Sequence, residues 1–543
     1  PSRSSCAIHV TSYNQNREVI YQQQQTHSAE GLSGIAFSTN VPHTFSSKAT
    51  KQCADCHLSK DDNNNALITQ LSMQGTNYLN FIGRYAWVGA GSHGLWSIVS
   101  TERDEPQAVI GSYLHRLAYP DYFKEHVGKN KSMLKRAHEH VGRDISDPLL
   151  HPFMKSEIQS VQHRGEYLYA ACGEAGFRIF DIAFIDHKGF SERMSTAPVS
   201  PLGQKFYIRS KYATCVAAPS TIAPDPTRKH YPENDEPRIA GIYGLIFFTD
   251  RYEGLVAVGA GTLLDGDPLN NFIKRAWTFN PDNILAGASH VITVGNYVYV
   301  TCDKGLVVIS CEDSTKPVIT SVIDNKWLKK PKAVAVQFRY AFVADEEGVK
   351  VLDVTDLAKP KPISQINIPD VHSIYLARTY AYLAAGKLGL VILDIQNPEK
   401  PKVDQVFNAN GEINDAHDVK LGITYTSEFA YIADGKNGMR ILQLTTPDSP
   451  GSGGFSPKPT PELIATFKLP IGGHALCISK GMDRDRAVDE SGNQLSVFGR
   501  VGARPFNKEE TQKLFMHNGK VWKVSNDPMW EGYSREPVAP AKK

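Results

Sequence analysis

Hydrophobic positions along the chain recur as one phrase: an aromatic–small–aromatic run, a short polar turn ending in glycine, then a second apolar run. Clear copies are RYAFVADEEGVKVLDV from Arg339, TYAYLAAGKLGLVILDI from Thr379 and EFAYIADGKNGMRILQL from Glu428. Similar text begins at Asn296, Glu166 and Arg84, a looser copy begins at Tyr243, and the weakest, DRAVDESGNQLSVFG, begins at Asp485. Each copy predicts two strands joined by a tight hairpin whose glycine takes positive φ. The runs are nearly continuous in apolar residues rather than alternating, as in strands buried on both faces.

The turn glycines set the period. Gly305, Gly348 and Gly389 stand 43 and 41 residues apart, within the ~40–45 residues of a four-stranded propeller blade. Text before each copy, such as KAVAVQF from Lys332 and VHSIYLA from Val371, supplies an inner strand. Text after it, such as KPKPISQINI from Lys359 and KPKVDQVF from Lys400, supplies an outer edge strand, where proline is tolerated. The expectation is an all-β chain with a seven- or eight-bladed β-propeller over residues 78–502. A partly helical insertion at 111–157 separates the first two blades, and a proline-rich loop covers 218–240. Residues 503–543 are read as a C-terminal extension.

LVILD at Leu390–Asp394 and VKVLD at Val349–Asp353 resemble the LVIVD-repeat family of β-propellers. That resemblance implies the fold and says almost nothing about activity, because propellers host unrelated functions.

Composition narrows the field. With 59 basic and 57 acidic residues the formal charge is +2, so nothing suggests capture of nucleic acid. No window reaches the ~20 apolar residues of a transmembrane helix. The chain opens at Pro1 without an initiator methionine, which reads as processing or as a start inside a longer chain. Eight cysteines are too dilute for a disulfide framework, and most fall in strand-like apolar text.

One motif carries chemistry directly. KQCADCHLSK places Cys53 and Cys56 two residues apart, with His57 adjacent. Two thiols at that spacing can form thioethers to both vinyl groups of a haem, and the next histidine then becomes an axial iron ligand. A zinc site would need a second pair of ligands, and no second Cys-x-x-Cys exists. The upstream text, STNVPHTFSSKATKQCADCHLS, resembles segments of multihaem c-type cytochromes. That resemblance implies His43 as the distal ligand, with His27 second, and a haem c-binding segment over residues 1–77. Only one complete motif is present, whereas that family carries several; SSCAIHV at Ser4–Val10 is at most a degenerate copy. His115, His126, His138 and His140 are candidates for ligating a neighbouring haem. SKDDNNN after the motif offers oxygen ligands for Ca²⁺, against the simpler reading of a solvated turn.

A second pattern is positional. His290, His372, His417 and His474 each precede an inner strand. Equivalent positions in successive blades converge on one mouth of the central channel. A ring of imidazoles there could hold copper or another transition metal. Nitrous oxide reductase, a propeller with a histidine-bound copper cluster, is similar in that limited sense. The alternative is a polar channel lined by an inherited residue.

The leading functional expectation is a periplasmic or extracellular c-type cytochrome that transfers electrons, since haem c is attached outside the cytoplasm. The propeller would be its scaffold and protein-interaction platform. Its partners would be other c-type cytochromes or redox subunits, with homo- or hetero-oligomers left open. Alternatives are a redox enzyme subunit with an open haem or hub metal, and a structural subunit of a larger redox assembly or filament. No phosphate loop, dinucleotide fingerprint or nucleophile elbow is evident.

Overall fold

Both strands of each clear repeat form, and they are buried along nearly their whole length. In the computed structural model, Tyr340–Asp345 pairs antiparallel with Gly348–Asp353, and Tyr380–Ala384 with Leu390–Asp394. The structure describes residues 7–26, 84–102, 108–135, 141–145, 157–164, 167–182, 207–218, 241–263, 273–423, 427–451, 456–479, 500–501 and 504–524.

Seven four-stranded antiparallel sheets make seven blades. Blade 4 runs His290–Val294, Tyr297–Cys302, Gly305–Ser310 and Val318–Asp324 from hub to rim. Blade 5 repeats the order from Ala333–Gln337 to Lys361–Asn367, and blade 6 from Ser373–Ala377 to Lys402–Phe407. Blade 7 runs from Asp418–Ile423 to Glu462–Phe467. Blades 2 and 3 start at Ser160–Arg164 and Ala213–Ala217. The outer strands are mostly half-exposed, and Lys361–Asn367 accommodates Pro362 beside a bulge at Ile363, opposite Val351 and Leu352. Every turn glycine from Gly94 to Gly438 has positive φ. At Gly438 a Cβ would lie 2.1 Å from the Phe467 carbonyl oxygen, so no side chain fits.

Blade 1 answers the seven-or-eight question. Its inner strand is Cys477–Ser479, which pairs with Tyr85–Gly89; Leu95–Val99 and Gly142–Asp144 complete the sheet. The strand after His474 therefore closes the first blade and does not begin an eighth. Residues 485–499, the weakest repeat copy, lie outside the described residues. Closure removes the two free sheet edges that an open stack would expose. Seven apolar clusters fill the seven gaps between blades, each drawing on facing strands of neighbours.

Between the third and fourth strands of blade 1 lie two short helices, α1 (Tyr113–Ala118) and α2 (Pro120–Gly128). The segment after them runs along the rim of blade 7: Met133 N–H donates to the Thr466 carbonyl at 2.9 Å, and Lys131 Nζ to the Leu463 carbonyl at 2.5 Å. A C-terminal helix, α3 (Lys508–Phe515), has an Asn507–Glu510 capping box and seats Phe515 in the core between blades 4 and 5.

Candidate functional site

The site forms where loops enter the inner strands. Before blade 6 the loop reads Asp370-Val371-His372, and before blade 7 Asp415-Ala416-His417. Before the closing strand it reads Gly472-Gly473-His474, without the aspartate. Each aspartate folds over the hairpin turn of its own blade. Gly386 and Gly435 occupy those turns at φ +46° and +45°, and a Cβ on either would stand 2.1 Å from the Asp370 or Asp415 Oδ2. Glycine is thus required both by backbone and by the carboxylate. Bridges from Gly386 to Ala416 and from Gly435 to Ala475 tie each turn to the next loop.

This stitching brings three histidines into a row. The rings of His372 and His417 are 4.8 Å apart between centroids, and those of His417 and His474 5.0 Å. His372 Nε2 lies 2.8 Å from Asp370 Oδ1. Asp415 serves two imidazoles: His417 Nε2 lies 3.2 Å from its Oδ1, and His474 Nε2 3.2 Å from its Oδ2. Burial acts to raise the Asp415 carboxyl, but the Lys436 N–H and the two adjacent imidazoles outweigh it and hold the pKa below the usual value. Lys332, at the position a histidine holds in other blades, places its Nζ 3.3 Å from Asp370 Oδ1. Burial first, then the Lys332 charge, pushes the His372 pKa down.

His290 departs from the expected ring. It sits two blades from His372, and its Nδ1 accepts from the Val334 N–H at 3.4 Å, long for a hydrogen bond. Burial, reinforced by Lys420, lowers its pKa to about 4. So three of the four hub histidines come together, and the fourth faces the channel separately. The channel beneath is a cavity of about 190 Å³ bounded by inner-strand residues including His290, Lys420 and Cys477. Deeper in, Asp418 accepts from Ser373 Oγ at 2.6 Å, from the Ile478 N–H at 3.0 Å and from Lys420 Nζ at 3.0 Å. That carboxylate ties three blades together at the hub.

Sequence reasoning missed Asp370, Asp415 and Lys332. The repeated Asp-x-His spacing ahead of two inner strands was the available signal.

Other candidates resolve differently. His115 accepts from the Gly111 N–H at 3.0 Å and lies 2.9 Å from Glu102, so both ring nitrogens are engaged. His126 faces the Ser132 and Ile464 carbonyls at 3.1 and 2.6 Å. Both are fixed within the fold. Cys172, Cys215, Cys302, Cys311 and Cys477 are buried, and burial raises the thiol pKa of Cys215, Cys302, Cys311 and Cys477. Cys53, Cys56, His57, His43, His27, His138, His140 and the SKDDNNN run lie outside the described residues.

The LVIVD repeat model matches residues 287–323, 330–367, 370–408 and 416–451, which are blades 4 to 7 in turn. No curated protein matches the chain. Among solved structures, a functionally unknown protein from Desulfotomaculum acetoxidans DSM 771 aligns with a TM-score of 0.38 at 11% identity, over 62% of this chain and 87% of that one. A nidogen/laminin complex chain aligns with a TM-score of 0.31 at 11% identity, over 60% and 93%. The Myceliophteria thermophila Cps50 (Swd1) β-propeller domain gives 0.36 at 10%, over 55% and 85%. No helix among the described residues is long and apolar enough to cross a membrane. The chain is a seven-bladed β-propeller carrying LVIVD repeats in four consecutive blades.

Proposed function

We propose that this chain is an electron-transfer protein of the c-type cytochrome kind, with the propeller as its rigid scaffold and docking platform. The observation that carries this reading is the Cys53-Ala54-Asp55-Cys56-His57 motif. The five described cysteines of the propeller are all buried. The Cys53–Cys56 pair stands apart from them in sequence and spacing.

A bound haem c supplies one-electron redox chemistry. Cys53 and Cys56 would hold it through thioethers, with His57 and then His43, or His27 after it, as its iron ligands. A pair of histidine ligands would suit electron transfer rather than catalysis. Covalent haem attachment places the protein in the periplasm or at the cell exterior, where other c-type cytochromes or redox subunits are its exchange partners.

The test is a pyridine haemochrome together with oxidised and dithionite-reduced spectra of the purified chain. One covalent haem per chain with a low-spin spectrum is expected, converting to high-spin in H43A. Absence of covalent haem in the protein matured with a haem-attachment system would end this reading.

A further inference from the structure

We infer that Asp415, His417 and His474 form a divalent transition-metal site at the mouth of the propeller channel. This goes beyond the haem reading and stands whether or not residues 53–57 carry haem. Among the described residues, the donor atoms of these three lie within 4.8 Å of one another. The two carboxylate–imidazole separations are 3.2 Å. Donors on one ion at bond lengths of about 2.0–2.2 Å stand roughly 3–3.6 Å apart; each imidazole nitrogen already stands at that spacing from one carboxylate oxygen, His417 from Oδ1 and His474 from Oδ2, so the carboxylate can meet an ion between the rings through either oxygen or both. The His417 and His474 donor nitrogens lie no more than 4.8 Å apart and close to that spacing on binding.

Charge selects this group over its neighbour. Asp370 and His372 offer the same residue types, but Lys332 already supplies a cation there, with its Nζ 3.3 Å from the carboxylate. Among the described residues the only ion-pair partners of Asp415 are His417 and His474. The set is therefore one carboxylate and two imidazoles, formally −1, suited to a borderline divalent ion such as Zn²⁺ or Cu²⁺. The site is also reachable: the side chains of His474, Asp415 and His417 are 42, 28 and 22% exposed.

The carboxylate is held in place before any ion arrives. The Lys436 N–H donates to Asp415 Oδ2 at 3.1 Å, and the side-chain-free Gly435 lies directly against it. Ala475 is bonded to Gly435 in both directions, which fixes the His474 loop beside the blade 7 turn. The ligands thus come from two adjoining blades, and the ion would bridge blade 7 to the strand that closes the ring. Three protein donors leave positions facing solvent for water or a small ligand.

Isothermal titration calorimetry of Zn²⁺ into the full-length metal-stripped chain tests the site, because its heat signal is unaffected by haem absorbance. Loss of supporting residues around a metal typically costs 10–100-fold, and loss of a direct ligand more. D415N, H417A and H474A should each weaken the site by at least roughly 100-fold, while H372A and K332A leave the three-donor site intact. H474A guards against misfolding, since the residue is well exposed; its thermal melt without zinc should match wild type. Wild-type Zn²⁺ binding in both D415N and H474A overturns the inference. So does a loss in H372A as large as that in H474A, which would move the ligand set.

Discussion

His290 shows how one side chain can couple the hub to pH. It is neutral in the folded channel because burial, and then the Lys420 charge, lower its pKa to about 4 from the ordinary histidine value of about 6.5. Asp418 faces it with the opposite effect but does not prevail. The unfolded chain therefore takes up this proton before the folded one does. Its contribution to stability is complete above about pH 6.5 and is lost as the pH falls from there towards 4. The size should be about 1–3 kcal/mol. Urea denaturation of wild type and H290Q between pH 7.5 and 4.5 checks it: the gap between the two curves should change by that amount, and parallel curves would count against it. The histidine pattern in the sequence located this residue and its blade, but not its isolation. Spacing reports which residues reach the mouth; the number of blades between them, and the backbone amide that occupies Nδ1, are tertiary facts. The converse holds for Asp415, whose Asp-x-His spacing was visible but whose sharing between two imidazoles depends on the missing aspartate before His474.

At the scale of elements, the face opposite the histidines has its own work. Each inner strand enters at the histidine mouth and turns at the other face, so Arg339, in the blade 5 turn, lies at the far end of its strand from Lys332. There the Asn14–Glu18 turn docks. Glu18 Oε1 accepts from Arg339 Nε at 2.9 Å and Nη2 at 2.6 Å, and the Gln15 N–H donates to the Gln396 carbonyl at 2.6 Å. Both charged residues are buried, but Arg339 also meets Asp353 at 2.8 Å and Glu399 at 3.3 Å. Removing Glu18 therefore leaves the guanidinium paired. E18A should cost about 1–3 kcal/mol, the range for hydrogen bonds to a charged group, and act chiefly on the docked segment. Hydrogen exchange should rise at Gln15 and Arg17 while the blade strands keep their protection; unchanged exchange at Gln15 would sink the idea. Nothing in the periodicity announced this contact. Blade strands are legible because their burial is repeated and local, whereas Glu18 and Arg339 are 321 residues apart and obey no repeat. The blade 1 closure was illegible for the same reason: Cys477–Ser479 is three residues long and its partner strand is at the other end of the sequence.

That closure governs the whole molecule. Among the described residues six blades are built from consecutive strands, and only blade 1 joins distant parts of the chain, through the pairs Trp87–Ser479, Val88–Ile478 and Gly89–Cys477. Joining them costs loop-closure entropy that grows slowly with length, so a short strand suffices if its side chains are well buried. They are: Ile478 and Ala475 are fully buried in the cluster between blades 7 and 1, beside Val88, Ile98 and Tyr431. The Asp418 carboxylate adds a bond from blade 7 to the Ile478 N–H. A chain ending at Gly473 loses all of this at once. It also exposes the inner edge of Tyr85–Gly89 and one face of blade 7, which invites pairing between molecules. The loss should be on the order of 5 kcal/mol, judged from large-to-small substitutions in packed cores, with association visible by light scattering. A chain ending at Val524 keeps the closing strand and α3 and is the reference for the shorter truncation. If the Gly473 truncation unfolded as one monomeric, cooperative transition at the full-chain temperature, ring closure would not be what unites the seven blades.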